Sequence, residues 1–400
     1  MKILILNPIL YTADNNIIPK VKSIKDTMIY NMCLGFKSLG YEVSLAAAMD
    51  YQPVEVEKYE FEVKWFKTQY HKLCPPSVLP YSNELRAFLK VNCARFDMVI
   101  TSEVFSFHSL FAARICPEKT VIWQELTEHQ NKFHQLPSKF WHHVVARFFM
   151  QKVKAVVPRS TKAYDFIHQF MPMTTKEVVD HGINVDKFLY STVKKRQIIS
   201  SSQLIHRKNV DGIIHIFADF HQQKGYEDIK LLIAGRGEEE TKLKELVAKL
   251  GLNDSVEFLG FLPQAKLNEY IRESICFLVN TRKDLNMVSI PESIVSGTPI
   301  LTNLQPASAG YIAKEHLGIA KDSWGVDELK QMIDNDSLFV DNCIQYRDKL
   351  TSKHSSKMLV NIFEENNKKW LMNNKILTPP YQRISGKITL RWMVCVPTQP

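Results

Sequence analysis

From residue 197 onward the chain repeats one unit: a short run dominated by Val, Ile, Leu and Phe, a polar turn carrying Gly or Lys, then a stretch with helical periodicity. The runs fall at 197–201, 230–234, 256–259, 275–279 and 299–302, with a last one at 318–322. Runs of this length and apolarity read as strands buried on both faces, and strands separated by helices pair in parallel, because a parallel partner is reached only through a crossover. The intervening stretches support this. One places Val210, Ile213, Ile214 and Phe217 on one face behind Asn209 as its cap. Others span 238–250, stopping at Gly251, then 264–274 and 326–333. The alternation predicts a doubly wound α/β domain in which the loops after the strands' carboxyl ends crowd one edge of the sheet.

The opening of the chain has the same grammar, less regularly. A strand at 2–7, a helix at 24–39 stopped by Gly40 and a strand at 41–45 form one parallel unit. Residues 50–80 are less regular, and two buried strands with a helix between them follow at 96–101 and 119–125. A length of 400 residues exceeds what one core serves, at a prior of ~100–200 residues per domain. We place the boundary in the turn-rich segment His181-Gly182-Ile183-Asn184-Val185-Asp186-Lys187-Phe188 and the basic run Lys194-Lys195-Arg196 after it. This gives an N-terminal domain over 1–185 and a C-terminal domain over 190–345. A polar helix follows within 350–376. The tail, 377–400, breaks the style of the chain and is open between an edge strand, a disordered end and an appended sequence. No solenoid period is visible.

An apolar fraction of 45% and a charged fraction of 23% are those of an ordinary globular protein with a large core. The seven cysteines are odd in number, scattered and never Cys-x-x-Cys, so neither a disulfide framework nor a zinc ribbon is expected and a reducing cytoplasm fits. The first apolar run is cut at Asn7-Pro8 and reads as a strand, not a signal peptide. No apolar stretch reaches the ~18 residues of a membrane span. An excess of 51 Lys and Arg over 42 Asp and Glu, net +9, favours polyanionic neighbours: phosphorylated substrates, acidic lipid or nucleic acid. The bases are dispersed and carry no nucleic-acid reading motif, which disfavours the last. The run 139–157, Lys-Phe-Trp-His-His-Val-Val-Ala-Arg-Phe-Phe-Met-Gln-Lys-Val-Lys-Ala-Val-Val, reads as a helix rich in aromatics and bases. It fits either a core helix with a solvated basic edge or docking on an anionic membrane.

The chemistry concentrates at 280–303. A strand enters, a polar loop follows, and a short helix starts at Ser289-Ile290-Pro291-Glu292 and stops at Gly297. Asp284 stands before the loop and Glu292 lies in the helix's first turn. The amides of Met287, Val288, Ser289 and Ile290 approach a helix N-terminus, where unpaired N–H groups and the positive dipole end favour an anion. This arrangement reads as a phosphate-and-sugar cradle; the plainer reading is a helix with an acidic first turn. Lys208, the turn Gly235-Arg236-Gly237 and Gly260-Phe261 also follow strands and belong to the same edge.

In this order, the pieces over residues 197–325 resemble the retaining, nucleotide-sugar-dependent glycosyltransferases of family 4 (glycosyl transferases group 1), whose GT-B fold sets two Rossmann-like doubly wound domains face to face across a cleft. His181 to Phe188 resembles that family's interdomain link, and the late helix the one that crosses back to the N-terminal domain. The resemblance implies that Glu292 holds the ribose hydroxyls, Asp284 contacts the transferred sugar, and the loop from Asn286 to Ser289 receives the diphosphate. Lys208 would neutralise the leaving group, where the family pairs it with an Arg; here Gln203 occupies that place and Arg207 stands near to supply the charge. Gly235, Gly237 and Gly260 would let backbone approach the nucleotide, with Phe261 or Leu262 against the base. The first half departs further. Asn7-Pro8-Ile9-Leu10 replaces a Gly-Gly loop, and the strand end that often carries a catalytic His reads Trp123-Gln124-Glu125, which puts Glu125 at that site with His129 beyond.

The implied reaction is transfer of a sugar to an acceptor hydroxyl of a saccharide, lipid-linked or protein-linked glycan. The anomeric configuration is retained and no metal or other cofactor takes part. The setting would be cytoplasmic, at the inner face of the membrane, in synthesis of bacterial surface polysaccharide or glycoconjugate. Asp334-Asn335-Asp336 has metal-binding spacing but sits at a helix end, as a solvated turn. A glycosidase would need its two carboxylates astride the scissile bond, not framing a phosphate loop. A dinucleotide enzyme is disfavoured because Glu240 takes the place of the third Gly. The rival that stays open is a noncatalytic GT-B-like partner subunit.

Overall fold

The computed structural model describes residues 1–11, 17–130, 132–283 and 287–375. Twelve strands form two six-stranded sheets, all parallel. The first holds β1 (Lys2–Leu6), β2 (Glu42–Ala48), β3 (Glu62–Phe66), β4 (Met98–Ser102), β5 (Thr120–Gln124) and β6 (Ala155–Pro158) in the order β3-β2-β1-β4-β5-β6. The second holds β7 (Gln197–Ser201), β8 (Lys230–Ala234), β9 (Val256–Gly260), β10 (Phe277–Val279), β11 (Ile300–Thr302) and β12 (Gly318–Ala320) in the order β12-β11-β10-β7-β8-β9. In each sheet the chain begins near the middle and winds outward both ways, so a crevice opens at the carboxyl ends where the order reverses.

The central strands are largely apolar because both faces are covered. Ile3, Leu4, Ile5 and Leu6 are all buried, as are Leu231, Leu232, Ile233 and Ala234, which is the burial expected of central parallel strands. The helices are started by side chains suited to it. Thr27, Ser82, Ser106 and Ser160 each accept an amide hydrogen bond at the head of the helices Met28–Ser38, Asn83–Asn92, Phe107–Ile115 and Thr161–Ile167.

Several expectations need correction. The run 139–157 is not one helix. It contains Leu136–Phe140, a π-helical stretch Trp141–Ala146 and Arg147–Phe149, and its last residues form β6. Val156 and Val157 are buried beside Ile122 and Trp123 of β5, so sheet pairing overrides the helical period. The irregular stretch 50–80 contributes the edge strand β3, and the helices Ala309–Lys314 and Asp336–Tyr346 extend the second half. Asn209 precedes its helix in the left-handed region, φ 54°, with no capping hydrogen bond from its side chain. Cys93 and Cys116 are joined in a disulfide between the ends of two neighbouring helices, against the expectation of unpaired thiols.

The final helix, Ser352–Lys375, returns to the first half and lies on Met28–Ser38. Leu359, Val360, Ile362 and Phe363 enter the core beneath that helix. The crossing is tight. A Cβ on Gly35 would fall 2.4 Å from the Ser352 carbonyl oxygen, and one on Gly182 2.2 Å from the Ser352 nitrogen. Gly35→Ala should therefore force the two helices apart and destabilise the protein by about 1–3 kcal/mol, the usual range for overpacking. Urea denaturation followed by circular dichroism measures this, and a midpoint equal to that of the unaltered protein would contradict the crossing.

Candidate active site

In the second half, the loops after four strands are fastened to one another by backbone hydrogen bonds. The loop after β7 is joined to that after β8: Leu204 N–H donates to the Arg236 carbonyl (2.9 Å) and Glu239 N–H to the Leu204 carbonyl (3.0 Å). Gly235 N–H donates to Gly260 at the end of β9 (2.8 Å). Arg282 N–H, after β10, donates to the Arg207 carbonyl (2.9 Å), which also accepts from Thr281 Oγ1 (3.0 Å). The Arg282 guanidinium forks onto Asp211, Nη2 to Oδ2 at 2.9 Å, and its Nη1 donates to the His206 carbonyl. Burial acts to raise the Asp211 carboxyl, but Arg282 outweighs it and holds the group below the ordinary carboxylate range. Lys208 sits in the single turn His206–Lys208 that these contacts pin to the loop leading toward Glu292.

The glycines have a task within the protein itself. A Cβ on Gly235, whose φ is 135°, would lie 1.8 Å from the Ser202 carbonyl oxygen, and one on Gly237 2.2 Å from that of Leu204. They admit the neighbouring loop. Gly260 has only a conformational reason, φ 66°. Gln203 is exposed, Arg207 donates to the Lys283 carbonyl (3.0 Å), and Phe261 is 71% exposed, Leu262 less so. Asp284 and Asn286 lie outside the described residues. Met287 packs partly into the core below, Val288 is exposed, and Ser289 begins the helix Ser289–Val295.

Glu292 lines a cavity of about 170 Å³ between the two halves, with Asp26 and Asn31 from the first half, His181 from the link, and Gln264 and Val288 beside it. Gln264 Nε2 donates to Glu292 Oε1 (2.7 Å). Burial raises the Glu292 carboxyl above its ordinary value, with Gln264 and the nearby His181 opposing.

Across the cleft, Glu125 follows β5 and pairs with Arg159, which follows β6: Nη1 to Oε2 is 2.5 Å. Arg159 is nearly inaccessible, lies 4.8 Å over the Trp123 ring and also approaches Asp180 and His181 at the start of the link. Burial works to raise Asp180, yet His181 and Arg159 together hold it low. Glu103, one residue past β4, accepts the amides of Glu125 (2.9 Å) and Leu126 (3.2 Å). Its backbone is left-handed, φ 65°, a costly conformation for a side chain of this size. Asn7, ahead of the loop that replaces the Gly-Gly pair, accepts from Ser102 Oγ (2.9 Å). His129 is taken up in an aromatic cluster with His142 and Phe166, ring centroids 5.1 Å away in each case.

Sequence reasoning missed Glu103, Arg159, His181 and Arg282. Glu103 could have been found by the rule that strand carboxyl ends carry function. Arg159 was hidden because β6 read as helix. Asp334 closes the helix Val326–Asp334 and accepts from Tyr226 Oη (2.8 Å), and among the described residues no group of three His, Cys, Asp or Glu could hold a metal ion.

Residues 185–336 match the family model for glycosyl transferases group 1. The alpha-monoglucosyldiacylglycerol synthase of Streptococcus pneumoniae is 24% identical over 190 residues, 44% of this chain and 43% of that protein. The amylovoran biosynthesis glycosyltransferase AmsD of Erwinia amylovora is 34% identical over 98 residues, 24% of this chain and 26% of that protein. The match thus spans less than half the length of these curated relatives. Anabaena HepE, solved in complex with UDP and glucose, superposes with a TM-score of 0.56 at 14% identity over 93% of this chain and all of that one. The GT-B architecture expected from the sequence is the one observed.

Glu103 gives a pH test of the first-half wall. Burial, and then the Glu125 charge, push its carboxyl from 4.5 to about 7. A raised acid favours the folded state while protonated, so its contribution is full below about 4.5 and is lost as pH rises through about 7. The melting temperature of the unaltered protein minus that of Glu103→Gln should therefore shrink from pH 5 to pH 8. A constant difference would contradict the shift.

Proposed function

We propose that the protein is a retaining family 4 glycosyltransferase that moves a sugar from a nucleoside diphosphate sugar to an acceptor hydroxyl. The observation that carries this reading is the pinning of the Lys208 turn, through Arg282 and Thr281, to the loop that leads to Glu292 in the cleft. In the reaction, the bond from the anomeric carbon to the diphosphate oxygen breaks and a bond to the acceptor oxygen forms on the same face. Negative charge grows on the diphosphate while the sugar becomes oxocarbenium-like. Lys208, Arg207 and the backbone from Asn286 to Ser289 would meet that charge, as preorganised groups that need no metal. Glu292 would accept two ribose hydroxyls, Asp284 would contact the sugar and Glu125 would face the reacting carbon from the other half.

The relatives named for glucosyldiacylglycerol and amylovoran synthesis support a lipid-linked or saccharide acceptor. A peripheral membrane contact fits as well. Leu136, Phe140, Phe148 and Phe149 are exposed together with Lys139, Arg147 and Lys152, the mixture that sinks rings among headgroups while bases meet acidic lipid. No helix of the described residues is long and apolar enough to cross a membrane. The setting would be the inner face of a bacterial membrane, during surface-polysaccharide synthesis. Flotation with acidic vesicles and not with neutral ones is the expected result for this patch; equal flotation would refute it.

The donor assignment is tested by two substitutions. Glu292→Ala should weaken nucleotide-sugar binding tenfold or more in titration calorimetry, since each lost charge-assisted hydrogen bond is worth ~1.5–3 kcal/mol. Lys208→Ala should lower turnover ~10²–10³-fold with little change in donor affinity. A noncatalytic partner subunit would instead release no nucleoside diphosphate from any donor sugar, and that result would overturn the proposal.

A further inference from the structure

His181 lies at the start of the link with its imidazole almost fully enclosed, 9% exposed. Its Nδ1 is 2.5 Å from Arg159 Nη2 and 2.9 Å from Asp180 Oδ1. One nitrogen cannot satisfy both. A guanidinium only donates and needs a lone pair on Nδ1; a carboxylate only accepts and needs a proton there. Three facts decide for Arg159. Its guanidinium is anchored by Glu125 and by the face of Trp123, whose own Nε1 is fixed to the Val179 carbonyl at 2.6 Å. Asp180 Oδ1 takes the His181 backbone N–H at 2.7 Å, so the carboxylate keeps a partner when the ring turns its lone pair to Arg159. The contact to Arg159 is also the shorter of the two. The ring proton of His181 therefore sits on Nε2, and its tautomer is set by the bond made at the other nitrogen.

The same residue lines the cleft cavity that Glu292 lines. Glu292 can only accept when ionised, whereas an imidazole with its proton on Nε2 donates. A nucleoside diphosphate presents the matching pair, hydroxyls for the carboxylate and phosphate oxygens for the N–H. We propose that His181 donates a hydrogen bond from Nε2 to a phosphate oxygen of the nucleotide, with Arg159 as the positioning residue that fixes its tautomer and ring plane and Asp180 holding the His181 backbone N–H. This rests on reading the cleft as the donor site. It adds to that site a contact from the link, so the segment that joins the halves also touches the ligand.

The test is calorimetric titration of UDP, GDP and ADP into the full chain, carrying forward whichever binds tightest. His181→Phe keeps an aromatic ring and removes the donor, and its affinity should fall at least tenfold. His181→Gln supplies an amide N–H at similar reach and should stay within about threefold of the unaltered protein. Arg159→Lys keeps the charge without the fork and should give an intermediate loss. Nitrogen-15 spectra of the unaltered protein, with the His181 signals identified by their disappearance in His181→Gln, should show Nδ1 unprotonated and the Nε2 signal moving when nucleotide is added. Wild-type affinity in His181→Phe alongside weakened binding in Glu292→Ala would overturn the His181 contact and leave the donor site standing. A protonated Nδ1, or a shift confined to Nδ1, would overturn it equally. Failure of all three nucleotides to bind the unaltered protein would overturn the donor site and this contact with it.

Discussion

The halves of this chain face each other because backbone crosses backbone at two glycines. Gly182 of the link and Gly35 of the first half both lie against Ser352, at distances a side chain would forbid. Around that crossing the chain is stitched: Ile183 N–H donates to Leu350 and Ser352 N–H to Ile183. Arg347 extends the stitching into the second half, donating to the carbonyls of Val185, Phe188 and Val295. Val295 ends the helix that carries Glu292. The acid in the cleft is thus held by the same few residues that hold the final helix on the first core, and a disturbance at the crossing reaches the cleft through rigid backbone.

A second constraint acts within the second half. Loops at the carboxyl edge of a parallel sheet are free to diverge in sequence, and they gain precision only if they support one another. Here they do so mainly through main chain, with Gly235 and Gly237 leaving room for the Ser202 and Leu204 carbonyls of the adjacent loop. The Gly-x-Gly turn thus makes close contact with the loop after β7, the loop that carries the Lys208 turn.

Most of the second half was legible in the sequence, because its strands are short apolar runs, each followed by a helix with a distinct stop. The strands β7 to β12 lie within a residue or two of the runs read for them. The first half was less so. β3 and β6 were missed because an edge strand shows little apolar patterning and because Ala155, Val156 and Val157 continue a helical period until pairing with β5 claims them. The site followed the same division. Lys208 and Glu292 are singled out by local motifs, whereas Arg159 and His181 gain their meaning from a contact across 22 residues. Tautomer and burial are tertiary facts, and no spacing rule encodes them.

The two walls of the cleft also differ in sign. Strand-end loops of the first half bring Glu103, Glu125 and Glu128, with Arg159 consumed in holding two of the acidic groups near it. Those of the second half bring Arg207, Lys208, Arg236, Arg282 and Lys283 beside Glu238 and Glu239, with Arg282 forked onto Asp211. The walls meet where Lys283 approaches Glu128 at 3.8 Å. A field of this shape draws a diphosphate to the second wall and away from the first. An uncharged hydroxyl suffers no such repulsion and can approach the carboxylates, where hydrogen bonding to an acid favours it. In the proposed reaction this difference in charge would favour the anion on the half that the family model matches and the hydroxyl on the half where the sequence departs from it.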